Sequence, residues 1–284
     1  MILKLSGADF SANNLGVVQV QQDLLPYTEA AILASGNAQM TEPQKSALDK
    51  LFRAMGADGS NNVMSKMRKI YLPILCGGDV TKAMINYADS SYPNDKVLDA
   101  TKWTYRSHGI VGLASSGNNI TLTLSQPLLT DNFSCFVLKT EKMEYGVADA
   151  SHGIILRGKT STSKFLGLTN PSNSSDHITS LGSYGLEWYP GGWRKVNDAV
   201  KTSTINFGSD GCDVCGIGTW LATTHPSSYT DMSGESSQTL YVFGLASMNT
   251  AKAYGVAIIG EAVTLEQAKL ITQRIDELYD AFNV

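Results

Sequence analysis

Leu240-Tyr-Val-Phe-Gly-Leu-Ala246 and Tyr254-Gly-Val-Ala-Ile-Ile259 are two short apolar runs, each too short for a buried helix. They read as strands. Gly260 breaks the pattern, and Thr264 then opens a helix. Thr264 and Gln267 have the spacing of a capping box. Ala268, Ile271, Ile275, Leu278 and Phe282 follow at steps of three and four, with Lys269, Gln273, Arg274, Glu277 and Asp280 largely elsewhere. A helix with one apolar stripe must be covered, here by packing within the chain. Strand, turn, strand and amphipathic helix thus close the sequence.

Upstream, the pattern is of short strands separated by Gly, Ser and Asn clusters. Asn119-Ile-Thr-Leu-Thr-Leu124 alternates, and Phe133–Leu138, Gly153–Leu156, Lys164–Leu168, Ser203–Phe207 and Cys215–Ala222 follow. With the two closing runs this makes an antiparallel sandwich or barrel. The N-terminal third differs. Met1–Leu5 and Leu15–Val20 alternate as short strands. Thr41-Glu-Pro-Gln44 is a helix start, and Ala47, Leu48, Leu51, Phe52 and Met55 form a stripe ended by Gly56. Further helices are expected over Asn62–Ile70, where Val63, Met67 and Ile70 share a face, and over Asp79–Tyr87. Ser90–Asp95 reads as a linker. The expected division is an attachment region over residues 1–92 and a sandwich over 93–284.

The chain has 284 residues, 43% hydrophobic and only 17% charged, with net charge −4. Soluble domains carry about 25% charge, so Ser, Thr, Asn and Gly must supply the polar surface. The densest basic run, Lys66-Met-Arg-Lys69, reads as a solvated face or local contact, and no nucleic-acid partner is expected. No apolar run approaches the roughly 20 residues of a membrane span, and the N-terminus does not read as a secretory signal. Synthesis in a cytoplasm, without membrane insertion, is the expectation.

Chemistry-bearing patterns are sparse. Cys212-Asp-Val-Cys215 lacks a second pair for zinc, and His108, His152, His177 and His225 have no metal-ligand spacing. Buried thiols are the simpler reading. No Glu-x-Asp-x-(x)-Glu triplet supplies paired carboxylates for glycoside hydrolysis. Glu141 and Glu144 are three apart and Glu187 stands alone. No catalytic residue is assigned and no cofactor is expected. Gly208–Asp213 offers two acids in a turn, short of a calcium shell. The most suggestive surface is Ser183-Tyr-Gly-Leu-Glu-Trp-Tyr-Pro-Gly-Gly-Trp193. There Tyr184, Trp188, Tyr189 and Trp193 crowd a turn with Glu187, a set suited to stacking on sugars and bonding hydroxyls. A hairpin whose aromatics fill the core is the competing reading.

Three stretches carry a resemblance. Gly7-Ala-Asp-Phe-Ser-Ala-Asn-Asn-Leu-Gly16 resembles the start of virion structural proteins from phages of gut Bacteroidales, crAss-like phages included. Arg68-Lys-Ile-Tyr-Leu-Pro-Ile-Leu75 is similar to a segment preceding the sandwich in such proteins. Tyr254–Ala281 resembles the ending of concanavalin-A-like or laminin-G-like domains in phage tail and fibre proteins. The resemblance implies a mainly β fold: a concanavalin-A-like antiparallel sandwich, or jelly roll, with an N-terminal helical region and a C-terminal amphipathic helix. It further implies a virion location, other virion proteins as partners and a homo-oligomer. The functional expectation is a tail or head fibre component whose lectin-like domain binds host cell-surface glycan. A depolymerase on the same fold, or a purely structural assembly part, are the alternatives.

Overall fold

The computed structural model describes residues 23–113, 120–128, 132–141, 154–158, 164–169, 176–183, 186–188, 194–195, 202–208, 211–216, 219–223, 235–243 and 253–283. In chain order the helices are α1 (Pro26–Ser35), α2 (Glu42–Ala54), α3 (Val63–Lys66) and α4 (Leu265–Phe282). The strands are β1 (Met67–Tyr71), β2 (Trp103–Arg106), β3 (Gly109–Gly112), β4 (Ile120–Leu124), β5 (Phe133–Lys139), β6 (Ile154–Gly158), β7 (Lys164–Thr169) and β8 (Asp176–Ser183). They continue as β9 (Leu186–Trp188), β10 (Arg194–Lys195), β11 (Thr202–Gly208), β12 (Gly211–Gly216), β13 (Thr219–Thr223), β14 (Gln238–Val242) and β15 (Tyr254–Gly260).

Every pairing among the described strands is antiparallel. The first sheet has the order β13-β12-β11-β5-β15-β3-β2, with β1 also on β15. The second runs β10-β8-β7-β6-β14-β4, with β9 beside β10 on the edge of β8. The two sheets pack face to face. Phe133, Cys135, Val137, Ile205, Phe207 and Ile259 of the first share one core with Ile120, Leu124, Ile154, Leu240 and Val242 of the second.

The first sheet is also covered on its other face. Side chains alternate along a strand, so Phe136 and Leu138 of β5 and Val256 and Ile258 of β15 turn to a second core with α2 and α4. That explains why β5 and β15 are buried at every position and read as unbroken apolar runs. A bulge between Tyr254 and Val256 returns Ala257 to the same inter-sheet core as Tyr254, three residues earlier. The architecture is therefore a β-sandwich with a helical layer on one side. No helix among the described residues is long and apolar enough to cross a membrane.

The closing helix matches its reading. Its capping box, Thr264 with Gln267, is formed, and Ala268, Ile271, Ile275 and Leu278 are fully buried. Each buried Ile or Leu contributes about 1.5–3 kcal/mol relative to exposure. The α2 box of Thr41 and Gln44 is formed as well. Helix α1 has no side-chain cap of its own. Instead Asp49 of α2 accepts from Leu25 N–H and the Thr28 hydroxyl, each at 2.7 Å. At its other end Gly36 takes a left-handed φ of 68°, and the Lys82 ammonium lies where a Cβ would project. A cation there complements the helix dipole.

Three expectations are corrected. The helix expected over Asn62–Ile70 is one turn, α3, followed by strand β1 paired with β15. Asp79–Tyr87 forms a short 3₁₀ turn at Val80–Lys82 and then two isolated bridges. Ser90–Asp95, expected as a linker, is tied down. Tyr92 packs edge-on to Tyr27 at 5.6 Å, and Asp95 takes Lys69 Nζ at 2.7 Å and Tyr71 OH at 2.8 Å. The second core crosses residue 92, since α1, α2 and β1 share it with β5, β15 and α4. The strands expected in Met1–Leu5 and Leu15–Val20 lie outside the described residues.

Candidate functional site

With the first sheet covered on both faces, the outer face of the second sheet is the one that described residues leave open. On β4 and β14 the odd-numbered positions occupy it. Thr121 pairs with Tyr241 and Thr123 with Thr239, all half-buried or exposed, while Ile120, Leu124, Leu240 and Val242 fill the core. Three threonine hydroxyls and a tyrosine, whose oxygens can both donate and accept, share this patch, with facing Cβ atoms about 4.5–5.5 Å apart.

Backbone register carries these rows across the sheet. Thr123 and Thr239 continue through Arg157, Phe165 and Gly182 to Glu187. Leu122 and Leu240 continue through Leu156, Leu166 and Leu181 to Trp188. Two expected ligand residues therefore stand in different rows. Glu187 shares the row of the outward Thr123 and Thr239, and Trp188 shares the row of Leu240, which is in the core. Tyr184, Tyr189 and Trp193 lie outside the described residues. From β4 to β9 the sheet steps through five strand spacings, about 24 Å.

At the β4 edge this face meets a polar cleft of about 460 Å³. Strand β1 supplies Arg68 and Lys69, the 86–90 turn supplies Asn86, Asp89 and Ser90, and the end of β4 supplies Thr123, Ser125 and Gln126. Thr123 belongs to both the sheet face and the cleft. Asn86 shapes the wall, accepting through Oδ1 from Ile70 N–H at 3.0 Å and Ala88 N–H at 3.2 Å. Asp89 accepts from the backbone N–H and hydroxyl of Ser91, which hold its carboxyl below the usual range.

The basic run Lys66–Lys69 is tied into the fold, with two of its three cations paired to carboxylates. Lys66 Nζ donates to Ala262 O at 3.1 Å, Arg68 pairs with Glu261, and Lys69 pairs with Asp95. No sequence signal announced these partners, because each lies far along the chain.

The carboxylates considered for hydrolysis are placed as follows. Glu141 accepts from Arg106 Nε at 2.6 Å and Nη2 at 2.8 Å, from the Ser107 hydroxyl at 3.1 Å and from Ala253 N–H at 3.2 Å. Burial pushes its carboxyl up, but the bonds from Arg106 and Ser107 and the guanidinium charge together hold it below the ordinary value. A general acid needs the opposite shift. Glu141 is a clasp between the β2–β3 hairpin and the end of β5. Glu144 lies outside the described residues.

Cys212 and Cys215 both sit on β12, three apart, an odd spacing that gives their positions opposite faces of the strand. Cys76, Cys135 and Cys215 are buried free thiols. The run expected as one strand from Cys215 to Ala222 is a hairpin, with Gly216 opposite Thr219. Asp213, expected in a glycine-rich turn, is also on β12, and burial raises its carboxyl. Among the described residues no group of three or more His, Cys, Asp or Glu is placed to hold a metal.

No protein-family model matches the chain, and no curated protein sequence matches it. Solved structures do. Domain 4 of AbnA, a GH43 extracellular arabinanase from Geobacillus stearothermophilus, in complex with arabinotriose, is 14% identical, with 73% of this chain and 98% of that chain covered and a TM-score of 0.49. The T. cruzi calreticulin globular domain is 12% identical, with 62% and 82% covered and a TM-score of 0.39. The CBM40 of the Ruminococcus gnavus IT-sialidase, bound to α2,3-sialyllactose, is 12% identical, with 58% and 95% covered and a TM-score of 0.38. At these scores the chain is similar to such domains in outline alone, and its site has to be argued from its own residues.

Proposed function

We propose that this chain is a non-enzymatic, glycan-binding β-sandwich of the concanavalin-A-like kind, carried on a virion as a structural or adhesion protein. The observation that carries the binding role is the asymmetry of the two sheets. One is covered by helices outside and by its partner sheet inside. The other turns Thr121, Thr123, Thr239 and Tyr241 outward and leads into a polar cleft. Hydroxyls in register beside an aromatic ring suit the alternating polar edges and C–H faces of a sugar. Glu187, in the same row as the outward threonines, extends the row towards the opposite edge. The virion setting rests on the resemblance of Gly7–Gly16, Arg68–Leu75 and Tyr254–Ala281 to phage structural proteins. Affinity per site is low on so open a face, and many copies acting together compensate.

The test is a glycan array probed with purified protein, followed by titration of the best ligand against Tyr241→Ala and Thr239→Lys. Both are expected to weaken binding about tenfold or more while the melting temperature stays within a few degrees of the native value. Silence on the array, or native affinity in both variants, overturns the reading and leaves an assembly role.

A further inference from the structure

The cleft at the β4 edge carries a more specific assignment, which rests on the glycan-binding reading and deepens it. Its wall holds three charged side chains, Arg68, Lys69 and Asp89, so a charged ligand is the first thing to consider. The two cations are already committed. Arg68 is paired with Glu261, each about 30% exposed, and Lys69 with Asp95, each under 20% exposed. Asp95 is further held by Tyr71 OH. An anionic ligand group would have to displace one of these carboxylates from a partly desolvated pair, leaving it uncompensated, and would then face Asp89. Breaking such a pair costs more than a new surface contact returns.

A neutral polyol meets no such obstacle. Each sugar hydroxyl donates once and accepts twice. Donation suits Asp89, acceptance suits the Gln126 amide, and both suit Ser90 and Ser125. Met67, Ala88 and Leu124 provide the apolar part of the lining. The cleft volume of about 460 Å³ lies in the range of small-ligand sites. Thr123, shared by cleft and sheet face, makes the two continuous.

We infer that this cleft is an end subsite for an uncharged sugar unit of a glycan lying along the outer face of the second sheet. Asp89, Ser125 and Gln126 are its specificity-determining residues.

The experiment compares neutral oligosaccharides built from glucose, galactose and N-acetylhexosamines with their uronate- and sulfate-bearing counterparts, each titrated at low and high salt. Ser125 and Gln126 are exposed, so Ser125→Trp and Gln126→Trp block the cleft without disturbing the core. Melting curves check this. Neutral ligands are expected to bind at least as tightly as acidic ones, with no dependence on salt, and to lose about tenfold or more in either Trp variant. Asp89→Asn is expected to weaken binding by a smaller factor. If both Trp variants bind like the native protein while Tyr241→Ala does not bind, the subsite is wrong and the sheet-face reading stands. Tighter, salt-sensitive binding of acidic ligands overturns the assignment of an uncharged sugar. If the native protein binds none of the panel, the broader reading falls as well.

Discussion

The hydroxyls of Thr204 and Thr272 lie 2.7 Å apart across the boundary between strand β11 and helix α4, both fully or nearly fully buried. Thr272 also donates to Ala268 O at 2.8 Å. A hydroxyl has one proton, so Thr204 is the donor between the two. The consequence is asymmetric. Thr272→Val leaves the Thr204 proton buried without an acceptor and is expected to cost about 1–3 kcal/mol. Thr204→Val leaves Thr272 bonded to Ala268 O and costs less. The double variant is expected to be more stable than the sum of the single losses implies. Urea unfolding of the three variants measures this.

Asp49 acts at a distance as the missing cap of α1. It accepts from Leu25 N–H, the buried Thr28 hydroxyl and Arg53 Nε. Asp49→Ala is expected to lose about 2 kcal/mol, with Asp49→Asn losing less because it keeps an acceptor. Hydrogen exchange is expected to speed up in α1 before it does in α2. Equal acceleration in both helices would contradict the capping role.

Glu141 predicts a pH dependence. Its folded pKa lies below the ordinary value of 4.5. As pH falls, the unfolded chain takes up the proton first. The contribution is full above about 4.5 and is lost as pH falls through the folded value. Glu141→Gln is expected to flatten the acid limb of a plot of urea midpoint against pH. An unchanged slope would show that the Arg106 clasp does not persist in solution.

Gly260 marks a close approach of two strands. A Cβ there would stand 2.5 Å from Lys66 O and 2.7 Å from Met67 Cα, both backbone atoms. Gly260→Ala is expected to cost about 1–3 kcal/mol through overpacking and to loosen β1 from β15. Calorimetry and exchange at Ile70 and Tyr71 report the two effects separately.

The thiols supply a direct test of the buried-thiol reading. Burial pushes the Cys76 thiol up to about 11 and Cys135 well above its ordinary value, and Cys215 is 1% exposed. A thiol reagent at neutral pH is expected to leave all three untouched until the protein unfolds. Mass spectrometry of labelled peptides identifies any that react early.

How much of this was legible in the sequence depends on what each element packs against. Helices α2 and α4 each bury one face and carry a capping box, so periodicity and cap agreed. Strands β5 and β15 are covered on both faces and lose alternation, but their continuous apolar runs still read as strands. The miss at β1 has a specific cause. A register shift between Met67 and Lys69 sets Met67 and Ile70, three apart, in the same core, as the turn of a helix would. Helix α1 was not read because Ala30-Ala-Ile-Leu-Ala34 is apolar all round, and Leu33 is 83% exposed. The cleft left no local trace, since Lys69, Asp89 and Gln126 come from three separated segments. Nothing in a one-dimensional pattern marks the edge where they meet.

Strand β15 lies in the interior of its sheet, flanked by β5 on one side and by β1 and β3 on the other. On the ribosome its neighbours emerge first, so strands made early must wait with unpaired edges until residues 254–260 arrive. Such edges are open templates for wrong partners. The chain is therefore expected to commit to its fold only after residues 254–260 have emerged, and nascent chains stopped before β15 are the ones most in need of chaperones.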